Sequence, residues 1–211
     1  MTRAPVQRVV LWGLLVATLI AIAVTAVFAP HWSRPNPGPP PPDLGPSPDF
    51  ELTNRDGSTV TQADLLGSVW VADFIFTRCG LSCPRMTEIM KRLGEGLAED
   101  TEIYRVSISV DPTYDTPAVL QSYADSWGIR DPRWLFLTGE RDEIHSTVVD
   151  GFKLALDFEP PAEISTAEEP ILHSSRFVLV DAAGVIRGYY NVVEGGELQR
   201  LLADLRSLAQ S

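Results

Sequence analysis

Cysteine and histidine are scarce in this chain of 211 residues, which holds two cysteines and three histidines. A zinc site made of four cysteines is therefore excluded. The cysteines, Cys79 and Cys83, are separated by three residues, so a disulfide between them would close a very short loop and restrict the unfolded chain little. Their close spacing favours redox or metal chemistry over a structural cross-link.

Basic residues are few as well, with 17 lysines and arginines against 28 aspartates and glutamates and a net charge of −11. Nucleic acid is bound by positively charged surfaces, so nucleic-acid binding is not expected of this chain. An acidic surface of this kind favours a basic partner, or simply keeps the domain soluble.

Charge is absent altogether from Val9 to Ala29, a run of 21 mostly apolar residues. A helix needs about 20 such residues to cross the hydrocarbon core of a bilayer. Arg3 and Arg8 precede the run and no acidic residue does, which predicts a cytoplasmic N-terminus and an exported remainder. A signal peptide cleaved after Val27-Phe28-Ala29 is the alternative, but the apolar part of such peptides usually spans about 7–15 residues. We favour a retained anchor, and both interpretations export the domain.

Proline separates this apolar run from the rest of the chain, because nine of the 17 prolines lie in residues 30–48. Such a stretch favours extended polyproline II and cannot form a core. We therefore predict three parts. Residues 1–29 form the cytoplasmic N-terminus and transmembrane anchor, residues 30–48 a proline-rich linker, and residues 49–211 the folded domain.

Strand and helix patterns alternate within the predicted domain. The predicted strands are Phe50–Thr53, Val69–Phe76, Ile103–Val110, Trp134–Leu137, Phe177–Val180 and Val185–Tyr190. One predicted helix begins at Pro84. Three more span Thr116–Trp127, Asp142–Val149 and Glu197–Leu208. Residues 151–172 are predicted to form a long loop with room for one strand. This order predicts an α/β sandwich with a mixed sheet.

Cys79 and Cys83 lie where the strand Val69–Phe76 ends and the next helix begins. The positive end of a helix stabilises a thiolate, and strand ends that lead into helices are favoured functional positions. The turn lets the two sulfurs converge on one metal ion or on each other. Thioredoxin-type oxidoreductases have two residues between their cysteines rather than three. Two thiolates and one imidazole would suit copper, since soft sulfur selects Cu(I) and imidazole also suits Cu(II).

The histidines are therefore of interest as ligands. His31 lies in the proline-rich linker and His145 within a predicted helix, and neither position favours a functional role. His173 lies at the end of the long loop, just before the strand Phe177–Val180. Taken alone, this position favours an ordinary loop histidine over a metal ligand.

Three segments, in this order along the chain, resemble the motifs of the Sco/SenC family of copper-handling proteins. They are Phe74–Pro84, Ser109–Pro117, and His173-Ser174-Ser175 with Phe177–Asp181 and Gly184. The resemblance covers about residues 49–208. It implies a thioredoxin-like fold, in which helices flank a mixed central sheet, and one copper ion, Cu(I) or Cu(II), bound by Cys79, Cys83 and His173.

The resemblance also implies a copper metallochaperone that serves the dinuclear copper centre of cytochrome c oxidase, with the copper-site subunit of the oxidase as its partner. The alternative is a thiol–disulfide oxidoreductase in which Cys79 and Cys83 form a catalytic redox pair. The two roles do not exclude each other, so enzymatic activity is left open. Other periplasmic copper carriers or thiol reductants are further expected partners. A bacterial inner membrane, crossed once, with the domain in the periplasm is the expected location.

Several residues beside the motifs have two interpretations. Asp111 and Asp115 form either a partner-facing acidic pair near the site or a turn and helix cap, and the sequence after them favours the cap. Asp73 lies in a strand predicted to be buried and would need a partner there. Arg78 also flanks the site. Relatives often place a proline and an acid between the cysteines, whereas this chain has Gly80-Leu81-Ser82, a difference expected to tune the site.

Overall fold

The computed structural model describes residues 11–24, 40–80, 82–95, 103–157, 171–172, 175–193 and 195–209. The chain divides into two compact units, Met1–Pro37 and Gly38–Ser211. Residues 11–24 of the first unit form a helix, α1, which covers the middle of the predicted anchor. The remainder of that predicted run lies outside the described residues. No helix within the described ranges combines the length and the apolar character that crossing a membrane requires.

A mixed sheet organises the second unit. Its strands are β1 (Glu51–Asn54), β2 (Thr59–Thr61), β3 (Val69–Ile75), β4 (Ile103–Ser109), β5 (Trp134–Thr138), β8 (Arg176–Val180) and β9 (Ile186–Asn191). They are arranged in the order β2-β1-β5-β4-β3-β8-β9. The central strands β3, β4 and β5 are parallel, and the outer strands are antiparallel to their neighbours. Two short strands, β6 (Leu156–Asp157) and β7 (Ile171–Leu172), pair separately.

The helices of this unit are α2 (Ser82–Glu95), α3 (Pro117–Ser126), α4 (Arg141–His145) and α5 (Leu198–Ala209). The helix α3 begins where Thr116 accepts a hydrogen bond from the Val119 backbone and Pro117 occupies the first turn, where its missing N–H costs nothing. A π-helix, Ser146–Gly151, follows α4 directly. A short 3₁₀-helix, Gln62–Leu65, follows β2.

Apolar side chains cover both faces of the sheet, and β3 is buried along its whole length. On one face, Phe152 packs edge-on against Trp70 and Phe74, with ring centroids 6.1 and 5.2 Å apart. On the other face, Val71 and Ile75 pack with buried residues of α2, α3 and α5. The carboxyl end of β3 therefore leads from the middle of the core into the turn that carries Cys79.

The predicted mixed sheet with flanking helices is confirmed, including the hairpin of β8 and β9, where the Gly184 N–H donates to the Asp181 carbonyl at 2.9 Å. Two predicted elements differ from the structure. The helix predicted at Asp142–Val149 is α-helical only to His145 and continues as a π-helix. The predicted long loop contains two strands, β6 and β7, each of two residues, which is too short to show a periodic pattern.

The last residues of the predicted linker are hydrogen-bonded to the sheet. Leu44 N–H donates to the Ile186 carbonyl, and Ile186 N–H donates to the Gly45 carbonyl, both at 2.9 Å. Ser47 N–H donates to the Gly184 carbonyl at 2.8 Å. This pairing covers the outer edge of the sheet at the start of β9, where backbone groups would otherwise be unpaired.

Candidate metal centre

The two cysteines meet where β3 passes into α2. The Cys79 N–H donates to the Phe76 carbonyl at 3.2 Å, which folds the turn back on the strand, and Cys83 is the second residue of α2. Cys79 is partly buried, whereas Cys83 is only 2% exposed. Neither is in a disulfide, and the Cys83 side chain is hydrogen-bonded to that of Cys79. The predicted convergence of the two sulfurs is therefore present in the structure.

The environment of Cys83 holds its proton. The pKa of its thiol is raised, first because the thiol is hydrogen-bonded to Cys79 and second because it is buried. Negative charge on Cys79 and Asp73 raises this pKa further. A metal ion that takes Cys83 as a thiolate ligand must therefore displace a tightly held proton.

Asp115 positions the cysteine turn. It is fully buried, and its carboxylate accepts hydrogen bonds from the Thr77 backbone N–H at 3.0 Å, from the Thr77 hydroxyl, and from the Ser109 hydroxyl at 2.6 Å. Burial raises the pKa of Asp115 in spite of these donors, which lower it. The residue thus ties the turn before Cys79 to the end of β4.

Arg78 makes a second contact between the cysteine turn and the segment after β4. Its Nη2 atom lies 2.6 Å from a carboxylate oxygen of Asp111, and its Nε donates to the same oxygen at 3.2 Å. The guanidinium also stacks over the Tyr114 ring, 4.3 Å from its centroid. Arg78 therefore contacts the loop after β4 through both Asp111 and Tyr114.

The helix-cap interpretation of the two aspartates is wrong. Thr116 caps α3, while the side chains of Asp111 and Asp115 face Arg78 and Thr77. The turn interpretation holds for the backbone, because the Asp111 carbonyl accepts the N–H groups of Tyr114 and Asp115 at 3.0 and 2.8 Å. The sequence marked these residues only as members of the first two family motifs, Phe74–Pro84 and Ser109–Pro117. No local pattern could show that positions so far apart in the chain are in contact.

His173 lies outside the described residues, so its role as a ligand stays a prediction. The nearest described segment is β7, whose backbone pairs with β6 through Leu172 and Leu156. His31 also lies outside the described residues, and His145 is the exposed last residue of α4. Within the part of the chain that the structure describes, no three metal-binding side chains of His, Cys, Asp or Glu form a cluster.

Asp73 lies in the middle of β3 and has no exposed surface. Among the described residues, neither oxygen of its carboxylate makes a hydrogen bond of ordinary geometry, although the Ser107 side chain lies close enough to lower its pKa. Burial raises the pKa of Asp73 to about 7. Ser107, its register neighbour on β4, offsets this rise in part.

Comparison with known proteins places this arrangement in a family. The sequence profile described as SCO1/SenC matches residues 42–210 of the chain. The chain belongs to the SCO1/SenC family. The SCO1 protein homolog of Bacillus subtilis is 36% identical over 160 residues, which cover 75% of this chain and 80% of that protein.

Solved structures of Sco proteins share the fold. BsSco, described as a member of the Sco family of cytochrome c oxidase assembly proteins in which a disulfide switch was identified, superposes with a TM-score of 0.68 at 33% identity, covering 81% of this chain and 97% of that one. Bradyrhizobium japonicum ScoI with copper bound superposes with a TM-score of 0.60 at 25% identity, covering 78% and 99%. The predicted thioredoxin-like fold is thereby confirmed.

Proposed function

We propose that this protein is a copper metallochaperone that carries one copper ion on Cys79, Cys83 and His173 and assists assembly of the dinuclear copper centre of cytochrome c oxidase. The observation that carries the proposal is the meeting of two thiols at the start of α2. Thiolate and imidazole ligands together suit copper in both of its common oxidation states. The copper-bound ScoI structure of a family member supports the same cargo for this chain.

The unequal exposure of the two cysteines suits transfer of a metal ion rather than permanent storage. Cys83 is buried at the helix start, and its position is fixed by the packing of α2. Cys79 is accessible on the turn, so that a thiolate of the receiving protein can approach the ion from that side. Asp115 and Arg78 hold this turn, which limits the reorganisation that binding requires.

The partner proposed here is the copper-site subunit of cytochrome c oxidase, with periplasmic copper carriers or thiol reductants as further partners. The charge-free run from Val9 to Ala29 and the arginines before it support a single-pass inner-membrane anchor with the domain in the periplasm. Attachment to the same membrane as the oxidase would raise the effective concentration of the two proteins.

A second function, thiol–disulfide oxidoreductase, has its own support in the hydrogen bond between the two thiols. Two thiols held against each other in this way can be oxidised to a disulfide. The disulfide switch identified in BsSco supports the same chemistry here. In this role Cys79, the accessible thiol, would attack a partner's disulfide, and Cys83 would release the product.

Titration of the reduced full-length protein with Cu(I) against a competing chelator, without oxygen, tests the first proposal. We expect one copper per chain, and strongly weakened binding for Cys79→Ser, Cys83→Ser and His173→Ala. The matched control is His145→Ala, which removes an exposed histidine on α4 and should leave the affinity unchanged. Binding that is indifferent to His173 would overturn the three-ligand site.

The same variants separate the two functions. Reduction of a disulfide in a peptide from the copper-binding loop of the oxidase subunit requires both cysteines but not an imidazole. The oxidoreductase role predicts full reduction by His173→Ala and none by Cys79→Ser. If the reduced protein bound no copper but reduced this peptide, the oxidoreductase function would replace the metallochaperone function.

A further inference from the structure

Tyr114 is an exposed aromatic residue at the end of the sheet that carries the cysteines. Within the described residues of the second unit, three large hydrophobic side chains are exposed, those of Leu44, Leu66 and Tyr114. Leu66 lies three residues before β3, and Leu44 pairs through its backbone with Ile186 at the start of β9, so both lie towards the amino end of β3. Tyr114 instead follows β4, which runs parallel to β3, and so lies at the end where the cysteine turn begins.

The Tyr114 ring is held in place beside the cysteine turn. Its backbone N–H donates to the Asp111 carbonyl at 3.0 Å, and its carbonyl accepts the Thr116 N–H at 2.8 Å. The Arg78 guanidinium lies 4.3 Å from the centroid of the ring, and Arg78 directly precedes Cys79 in the chain. Tyr114 is nevertheless 46% exposed, so the contacts that fix it leave part of its surface open to another molecule.

A partner whose sulfur reaches Cys79 comes close to this ring. Consecutive Cα atoms are 3.8 Å apart, so the residue beside the partner's sulfur is about as far from that sulfur's residue as Arg78 is from Cys79. Tyrosine supplies a large, rigid contact area at a low entropic cost, and tyrosine and arginine are enriched among the residues that dominate binding at interfaces. The position of the ring therefore suits contact with the partner segment next to the sulfur.

The charges around the ring indicate which side chain it accepts. The Arg78 charge is balanced by Asp111 at 2.6 Å, so little of it is left for an acidic side chain of a partner. A second cation at the ring would be repelled by the guanidinium that already stacks on it. An aromatic or aliphatic side chain meets neither obstacle and gains contact with the exposed part of the ring.

We propose that Tyr114, stacked on Arg78, is a docking residue that selects partner segments with an aromatic or other large apolar side chain next to the cysteine that meets Cys79. The inference rests on the proposed function, in which a partner's sulfur approaches Cys79, and adds a determinant of partner choice to it. Tyr114 acts as a positioning residue for the partner, because it contacts the neighbour of the reacting sulfur rather than the sulfur itself.

The test uses the reduced full-length protein and short peptides whose single cysteine is joined by a disulfide to thionitrobenzoate. The Cys79 thiolate attacks the peptide sulfur and forms a new disulfide, while the bond to thionitrobenzoate breaks and this group leaves with the electron pair as a coloured thiolate. The peptides differ only in the residue beside the cysteine, which is glycine, lysine or phenylalanine. Each rate is divided by the rate with free glutathione, which corrects for the reactivity of the peptide itself. Salt at about 1 M shortens the Debye length to about 3 Å and screens the acidic surface.

We expect the unaltered protein to react about three- to tenfold faster with the phenylalanine peptide than with the glycine peptide. Tyr114→Phe keeps the ring and should keep this ratio, whereas Tyr114→Ala should lower it to about one. The ratio is the informative quantity, because a general loosening of the turn would change the reaction of Cys79 with every peptide alike. Leu66→Ala is the matched control, since it removes an exposed hydrophobic side chain near the other end of β3 and should leave the ratio unchanged.

Equal rates for the phenylalanine and glycine peptides in the unaltered protein would overturn the proposal, even if a variant failed to fold. A ratio that persists in Tyr114→Ala would overturn it as well, and a lysine peptide that reacts fastest would overturn the selection of apolar side chains. If the unaltered protein released no thionitrobenzoate from any peptide, Cys79 would not exchange thiols at all. The oxidoreductase function would then fail together with the docking role, a result distinct from equal rates.

Discussion

The Asp115 carboxylate accepts the backbone N–H of Thr77 at 3.0 Å, across 38 positions of the chain. Thr77 lies two residues before Cys79, and Asp115 lies just before α3. This contact joins the first two family motifs at a residue with no exposed surface. The position of the cysteine turn therefore depends on a buried carboxyl group that makes no contact with the thiols in the described hydrogen bonds.

Replacing Asp115 by alanine should loosen the cysteine turn. The change leaves the Thr77 N–H and the Ser109 hydroxyl without their acceptor in a buried place, which should lower the free energy of unfolding by about 2–3 kcal/mol. Urea unfolding of the reduced protein measures this loss, and chelator competition should show weaker Cu(I) binding.

Thr116→Ala is the control for this variant. It removes the cap of α3, one residue further on, and should cost about 1 kcal/mol of stability without changing the copper affinity. If Asp115→Ala weakened copper binding no more than Thr116→Ala, Asp115 would not position the site.

Arg78 should not be replaceable by lysine. Two guanidinium nitrogens contact one oxygen of Asp111, and the planar group stacks on Tyr114 at 4.3 Å. An ammonium keeps the charge but loses the second hydrogen bond and the flat stacking surface. We expect Arg78→Lys to lower the unfolding free energy by about 1 kcal/mol and Arg78→Ala by about 1–3 kcal/mol, as measured by urea unfolding. Equal stabilities of Arg78→Lys and the unaltered protein would contradict this account of the pair.

The fold was predictable from the sequence where burial imposes a pattern. The strand β3 is buried at every position, so its continuous apolar run was unambiguous, and the turn at Asp181–Gly184 predicted the hairpin that follows. Residues 146–149 were predicted as α-helix, because a segment of about one turn is too short for its apolar spacing to distinguish an α-helix from a π-helix. Strands of two residues, such as β6, have no pattern at all.

The candidate site could be predicted from the sequence only where its residues are close together in the chain. Local spacing and the helix start predicted the meeting of Cys79 and Cys83, since both are set within one turn. The contacts of Asp115 with Thr77 and of Asp111 with Arg78 depend on the alignment of β3 with β4, which is a tertiary property. For the same reason, the sequence could mark Asp73 as buried but could not show which groups surround its carboxylate.

Asp73 should make the protein less stable as the pH rises. Its pKa is about 7 in the folded protein against 3.8 for an ordinary aspartate, so the folded state binds more protons between these values. The proton that the folded protein binds at Asp73 therefore contributes its full stabilisation below pH 3.8. This stabilisation is lost as the pH rises through about 7, which lowers the free energy of unfolding by about 4 kcal/mol. Urea unfolding at a series of pH values should show this loss.

Asp73→Asn should flatten this dependence, because an amide does not ionise. At pH 8 we expect the variant to be more stable than the unaltered protein, with the difference shrinking towards pH 5. A variant that is less stable at pH 8 would mean that the Asp73 carboxylate has a stabilising partner when charged.

Copper binding should strengthen as the pH rises, because Cys83 gives up its proton to become a ligand. The pKa of this thiol is raised by its hydrogen bond to Cys79 and by burial, so Cys83 still carries its proton at neutral pH before the metal binds. Displacing one proton makes the apparent affinity rise about tenfold per pH unit. Chelator competition at pH 6, 7 and 8, corrected for the protonation of the chelator, should show at least this slope. In Cys83→Ser, the number of protons displaced per copper bound should fall by at least one. An affinity that does not change with pH would mean that Cys83 binds no copper, or that it is already a thiolate in the free protein.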